Sequence, residues 1–409
     1  MREVVVTGLG AVCPIGNTVE QAWTNALAGV SGTGAITRFD AEPYGCKIAA
    51  EVKGFDPAQY MDPKSVRRYD RFIHYAMAAA SQAYEDARLD AAGFDPARFG
   101  VTVGSGIGGL ETIYETSVKL LESGPRRVSP FFIPGIIGNM ANGLLSIAFH
   151  LQGPSVTHVS ACASGLHAIG EAARMIAMDE ADLMMAGGTD AAITPLGIAG
   201  FDNMHAISRR NDDPEHASRP FDAARDGFVM GEGSGVLILE EKSRALARGA
   251  RIYAQVSGYA MTSDAFHVTT PSTEGPARCM RLALQRAGLC ARDIGYLNAH
   301  GTSTPVGDAN ECQAIEEVFG PRGGDLVVSS TKSMTGHLLG GAGGLESVFT
   351  VLALFHQVVP PTINVENQDE ACRVDCCANK ARSKAFAHAM KNSFGFGGTN
   401  ASIVYSLAR

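Results

Sequence analysis

Short aliphatic runs alternate along this chain with stretches of helical period. Val4–Val6, Val101–Val103, Leu183–Ala186 and Val236–Leu239 are apolar at consecutive positions. Such runs predict strands buried on both faces, not half-exposed ones, which would alternate. Ala76–Ala87 and Gly165–Met178 repeat their apolar residues at helical spacing. The alternation predicts an α/β fold whose sheet is covered by helices on both sides. The longest apolar stretch, Leu338–Phe355, holds Glu346 and several glycines, so it predicts a buried helix, not a membrane span.

The pattern also echoes itself. Gly227–Leu239 resembles Ser393–Tyr405, with Phe228 matching Phe394 and Gly231 matching Gly397. Ala163–Leu166 resembles Ala342–Leu345, and each opens a helix. Glycine-rich segments match by chance, so either echo alone is weak. Together they predict two half-domains of similar topology, residues 1–247 and 248–409. No low-complexity linker separates them, so the halves pack as one body.

Composition narrows the function. The chain has 409 residues, 45% hydrophobic and 19% charged, with 47 glycines, which suits a large, closely packed enzyme. A net charge of −8 and 7% aromatics argue against nucleic acid as the main partner. The nine cysteines have irregular spacing and form no pair of CxxC motifs. They predict free thiols in a reducing compartment and no metal site. The N-terminal Met1–Gly10 reads as a strand and turn without the apolar core and cleavage site of a signal peptide. A cytoplasmic protein that neither binds nor crosses a membrane is the expectation.

Three segments carry candidate chemistry. Cys162 stands in His158–Leu166, on a small-residue turn that opens a helix. Most free cysteines are buried small hydrophobes. Here Ala161, Ala163, Ser164 and Gly165 leave the sulfur little cover, and a helix N-terminus is expected to lower the thiol pKa. The Cys162 N–H, free at the helix start, is a candidate oxyanion donor. His300 ends the run Leu297–His300, before Gly301, Thr302, Thr304 and Pro305. His337 follows Lys332, and Gly340–Gly344 come next. Lys332 and Glu346 are expected to pair and to hold His337 in one tautomer. The glycine run predicts close packing, since the P-loop pattern is absent. Asn392–Asn400 carries Gly395, Gly397 and Gly398, expected in a turn of positive φ, with Phe394 and Phe396 as core or gate.

At these residues the chain resembles the β-ketoacyl-[acyl-carrier-protein] synthases of the thiolase-like superfamily, most of all their synthase II branch. The likeness runs from Val5 to Asn400. It implies a five-layered αβαβα body of two similar half-domains. It implies that Cys162 carries the acyl chain and that His300 and His337 assist decarboxylation and hold the enolate oxygen. Lys332 would orient His337, with Glu346 behind. The N–H groups of Cys162 and Phe396 would receive the oxyanion, and Phe396 would gate the site. Ile107, Phe201 and Phe394 would line the acyl pocket. Thr302 and Thr304, with Thr269 and Thr270, would hold the pantetheine arm. The basic run Lys64, Arg67, Arg68 on a helix would receive acidic acyl carrier protein, with Arg126 and Arg127 as weaker candidates. A homodimer is implied, and no cofactor beyond a structural monovalent ion.

The rivals separate on single features. A thiolase would place a second cysteine within Asn392–Asn400, which has none. A synthase primed by acetyl-CoA would carry Asn where His337 stands. A chain-length-factor-like subunit would lack the nucleophile. A polyketide-type ketosynthase shares every motif and stays open.

Overall fold

The computed structural model describes residues 1–90 and 93–408. The four aliphatic runs of the first half become β1 (Val4–Val12), β2 (Phe99–Gly104), β3 (Leu183–Asp190) and β4 (Gly233–Glu241), each buried along its whole length. Burial on both faces is why they read as continuous apolar runs. The second half supplies β5 (Ala254–Ser263), β6 (Tyr296–Asn298), β7 (Val327–Ser329), β8 (His388–Gly395) and β9 (Thr399–Ser406).

Among the described residues these nine strands join in the order β2-β3-β4-β1-β5-β9-β8-β6-β7. The join between the two arms is short, Val4–Val6 against Ala254–Val256. Outward from it the arms repeat one pattern. β4 is antiparallel to β1 and β3, and β9 is antiparallel to β5 and β8. The next neighbours, β2 on β3 and β6 on β8, are parallel. The sequence echo falls on equivalent strands, since Val236–Leu239 lies in β4 and Ser402–Tyr405 in β9.

Seven helices build the layers used below: α1 (Arg71–Asp86), α2 (Leu110–Ser123), α3 (Met140–Phe149), α4 (Ser164–Ala177), α5 (Glu274–Ala287), α6 (Pro305–Phe319) and α7 (Ala342–His356). α1 and α3 cover one outer face, packing Phe72, Ala141 and Leu145 on Val101, Met185 and Ile238. α5 and α6 cover the other, with Met280 and Ile315 against Leu297 and Val404. α4 and α7 lie between the arms. Their Leu166, Ile169, Leu345 and Val348 share one core with Leu237 of the first arm and Ile403 of the second. Helix, strands, helix pair, strands and helix make five layers.

The middle layer is where glycine is needed. A Cβ on Gly165 would stand 2.7 Å from Gly340 O and 2.9 Å from Gly344 N. The α4 and α7 backbones therefore touch, and any side chain would part them. The glycine run after His337 is close packing, as its spacing predicts. Leu339–His356 has the length and composition of a membrane span, yet 89% of it is buried within the protein. Its Leu345, Val348, Phe349 and Val351 stabilise the core by roughly 1.5–3 kcal/mol each.

Candidate active site

The chain turns sharply before α4. Ala161 takes φ +49°, a left-handed conformation unusual for a residue with a side chain. The turn is closed by hydrogen bonds from Ala163 N–H to Ser160 O (3.1 Å), Ser164 N–H to Ala161 O (3.2 Å) and Ser160 N–H to Ser164 Oγ (2.9 Å). Local strain of this kind persists only where its surroundings hold it, and it raises Cys162 on the apex. The second arm braces the turn: Thr399 Oγ1 donates to Ser160 O at 3.1 Å.

His300 lies two residues past β6. Glu311 of α6 accepts the N–H groups of His300 (2.9 Å) and Gly301 (2.7 Å). Lys332 Nζ donates to the His300 carbonyl at 2.6 Å. His337 is pinned by the segment before β4, donating its N–H to Val229 O (2.8 Å) and accepting from Gly231 N–H (2.9 Å). The two imidazoles meet edge to face, centroids 5.3 Å apart at 83°. Phe394 packs on His300 at 5.8 Å, and Phe228 on His337 at 5.4 Å. Nδ1 of both rings is buried without a hydrogen bond, and both residues line one cavity.

Below the histidines lie two buried lysines and one carboxylate. Glu346 pairs with Lys332 at 2.5 Å and with Lys391 at 2.6 Å. Burial, helped by Lys332 and Lys391, drives both histidines well below the ordinary imidazole range, so each is neutral at physiological pH. Each neutral ring carries one donor proton. Burial pushes the Cys162 thiol up to about 12, with Lys332 pulling the other way.

Three expectations are corrected here. The thiol pKa is raised, not lowered, because α4 begins at Ser164 and the sulfur sits deep although the residue as a whole is half-buried. Lys332 hydrogen-bonds the His300 carbonyl and not His337, which it reaches only through its charge. Positive φ occurs at Gly397 (+83°) and Gly398 (+69°) but not at Gly395. Gly395 is needed for space, since a Cβ there would stand 2.7 Å from Ser160 O and 3.2 Å from Cys162 N.

A cavity of about 460 Å³ collects most of the remaining candidates. Cys162, His300 and His337 line it with Ile107, Phe201, Phe394 and Phe396, and Thr269, Thr270, Thr302 and Thr304 complete it. Thr302 and Thr304 hydroxyls are 2.9 Å apart. Phe396 is 38% exposed. Asp190 clamps the Ile107 loop, accepting from Ser105 Oγ (2.8 Å) and the N–H groups of Gly106 (3.0 Å), Ile107 (3.2 Å) and Gly340 (2.7 Å). Lys64, Arg67 and Arg68 are exposed and lie outside the cavity, and the helix there is one turn, Pro63–Val66. Arg68 stacks over Phe131 at 4.2 Å.

Sequence reading missed Asp190, Glu311 and Lys391. Lys391 adjoins the Asn392 motif, and that was its only signal.

Known proteins place this geometry. Residues 1–245 match the family model described as β-ketoacyl synthase, N-terminal domain, and residues 253–366 match the corresponding C-terminal domain. The chain belongs to the β-ketoacyl synthase family. Within it, a 3-oxoacyl-[acyl-carrier-protein] synthase 2 from Coxiella burnetii is 52% identical over 407 residues, covering 99% of this chain and 98% of that protein. The synthase 2 from Staphylococcus aureus strain N315 is 50% identical over 406 residues, with the same coverage. A β-ketoacyl synthase from Burkholderia phymatum has the same thiolase-like fold, with a TM-score of 0.94 at 37% identity over the whole of both chains. A type II polyketide ketosynthase, bound to a hexaketide and in complex with its acyl-carrier protein, gives 0.93 at 32%, also over both whole chains.

Proposed function

We propose that this chain is the condensing enzyme of type II fatty-acid synthesis, an acyltransferase that extends an acyl chain held on Cys162. The observation that carries this reading is the meeting of Cys162 with two neutral histidines on one apolar cavity. Sγ attacks the thioester carbonyl of an acyl carrier, the carrier's C–S bond breaks, and the thiol proton leaves with the departing pantetheine thiol. The N–H groups of Cys162 and Phe396 receive the oxyanion, each donor worth roughly 3 kcal/mol. Malonyl carrier then enters. Its bond to the carboxylate breaks, CO₂ departs, and Nε2–H of His300 and His337 hold the enolate oxygen. The enolate carbon attacks the acyl carbonyl and the Cys162 thiolate leaves. One proton is taken up overall, and 3-oxoacyl carrier is the product.

Decarboxylation supplies the carbanion, so this reading calls for no redox cofactor or catalytic metal. Lys332 and Glu346 fix His300. Ile107 and Phe201 meet the acyl tail, Phe394 and Phe396 gate the site, and the four threonines hold the pantetheine arm. Lys64, Arg67 and Arg68 receive the acidic carrier. The enzyme works in the cytoplasm as a homodimer, and exposed Leu121, Ile133 and Ile147 on and between α2 and α3 give a second copy an apolar face to cover. A polyketide role has structural neighbours at 32–34% identity, against 50–52% for fatty-acid relatives, and we prefer the latter.

The test is a condensation assay with carrier-linked and small thioester donors. The expected result is equal CO₂ and 3-oxoacyl product from malonyl carrier, with reversal of the three basic charges raising KM for carrier-linked donors alone. No CO₂ from malonyl carrier sinks the function, and equal KM changes for both donors sink the docking site.

A further inference from the structure

The family resemblance leaves room for a structural monovalent ion near the active-site backbone, and oxygen donors for one converge behind His300. They are the carbonyls of Asn298, Ala299 and Asn392 with Glu346 Oε2. Such a set suits a hard monovalent cation. It is already filled by this chain's own residue. Lys391 Nζ lies 3.5 Å from Asn298 O, 3.2 Å from Ala299 O and 2.6 Å from Glu346 Oε2, and donates to Asn392 O as well. Lys391 reaches this place from β8 and is wholly buried. An ion does not fit beside the ammonium, because two cations in one buried shell would repel with only one carboxylate oxygen between them.

We propose that Lys391 is a tethered cation, whose ammonium takes the place of a monovalent metal ion in the carbonyl cradle under His300. It is a positioning residue. Ala299 precedes His300, and Asn392 lies two residues before Phe394, so the cradle sets the histidine against the gating loop. Through the shared Glu346 it is also tied to Lys332, whose own Nζ holds the His300 carbonyl. The charged groups facing it are Glu346 from α7, Lys332, and Glu311 from α6, with neutral His300 and His337 on the cavity side. Burial lowers the Lys391 ammonium to about 8 while Glu346 opposes, so the charge is in place at neutral pH.

The test compares wild type, Lys391→Ser and Lys391→Met in KCl and in tetramethylammonium chloride of equal ionic strength. Melting temperature and condensation rate are read for each. Wild type is expected to behave alike in both salts. Lys391→Ser opens the cradle. In tetramethylammonium it is expected to melt lower and to condense roughly 10-fold to 100-fold more slowly, the loss seen when a residue that orients a functional group is removed. KCl is expected to restore both in a saturable way, since an ion bound only by the folded state raises stability with its concentration. Lys391→Met fills the space without charge, and KCl is expected not to rescue it. A folded Lys391→Ser blind to KCl, a Lys391→Ser that folds in neither salt, or a wild type that itself needs the ion would each overturn the proposal. The rate arm rests on the condensing function proposed above, and the melting arm does not. A wild type without condensing activity would sink that function while the melting data still decided this proposal.

Discussion

The Cys162 sulfur is held where burial opposes its ionisation and Lys332 favours it. At neutral pH the thiol is the resting form, and a proton must leave as the acyl group arrives. The consequence is measurable without carrier protein. The rate at which iodoacetamide alkylates Cys162 should climb steadily from pH 7 to pH 9, with no plateau. A plateau already reached at pH 7 would mean a thiolate at rest and contradict the buried-thiol account. At this scale much was legible. Cys162, His300 and His337 announce themselves because each stands among glycines and hydroxyl side chains, unlike the aliphatic runs around them. Lys391 and Glu311 do not, because a lysine before Asn392 and a glutamate in α6 read as solvent-facing until the fold buries them. The direction of the thiol pKa was misread for a related reason. The start of α4 and the depth of the sulfur depend on the second arm, which closes over the turn through Thr399 and Gly395.

Among the elements, the loop from β2 to α2 carries Ile107 to the cavity wall. Asp190, at the end of β3, accepts four hydrogen bonds from it and from Gly340, so Ile107 is presented to the cavity on a fixed backbone. A side chain on a fixed loop can set how much acyl chain the cavity admits. Ile107→Ala should lengthen the distribution of chains accepted while leaving the melting temperature within a degree or two, because Ile107 is 39% exposed and supports little core. An unchanged chain-length profile would remove Ile107 from that role. The four strands of the first arm were legible as unbroken apolar runs, whereas β5 and β8 mix polar residues into theirs; both echoes mark equivalent elements of the two arms: β4 with β9, and α4 with α7. The one-turn helix at Pro63–Val66 was not, since Asp62 caps it and nothing in the basic run tells one turn from three.

At the scale of the whole molecule, the five layers explain why the site lies where it does. α4 and α7 touch at glycines in the middle layer, and that contact brings the turn carrying Cys162 near the segment carrying His337. His300 arrives from the second arm just past the end of β6, and the loop carrying Phe396 joins β8 to β9. Neither arm alone holds the set. In the sequence this convergence was legible through the family resemblance, since spacing alone cannot say which loops meet. The central claim is that Cys162 carries an acyl group that malonyl carrier then removes. Intact-protein mass after incubation with a long-chain acyl carrier, for wild type and Cys162→Ala, tests it most directly. The account predicts an acyl adduct on wild type alone, discharged by malonyl carrier with release of 3-oxoacyl product. An adduct that survives on Cys162→Ala, or none on wild type, would contradict it.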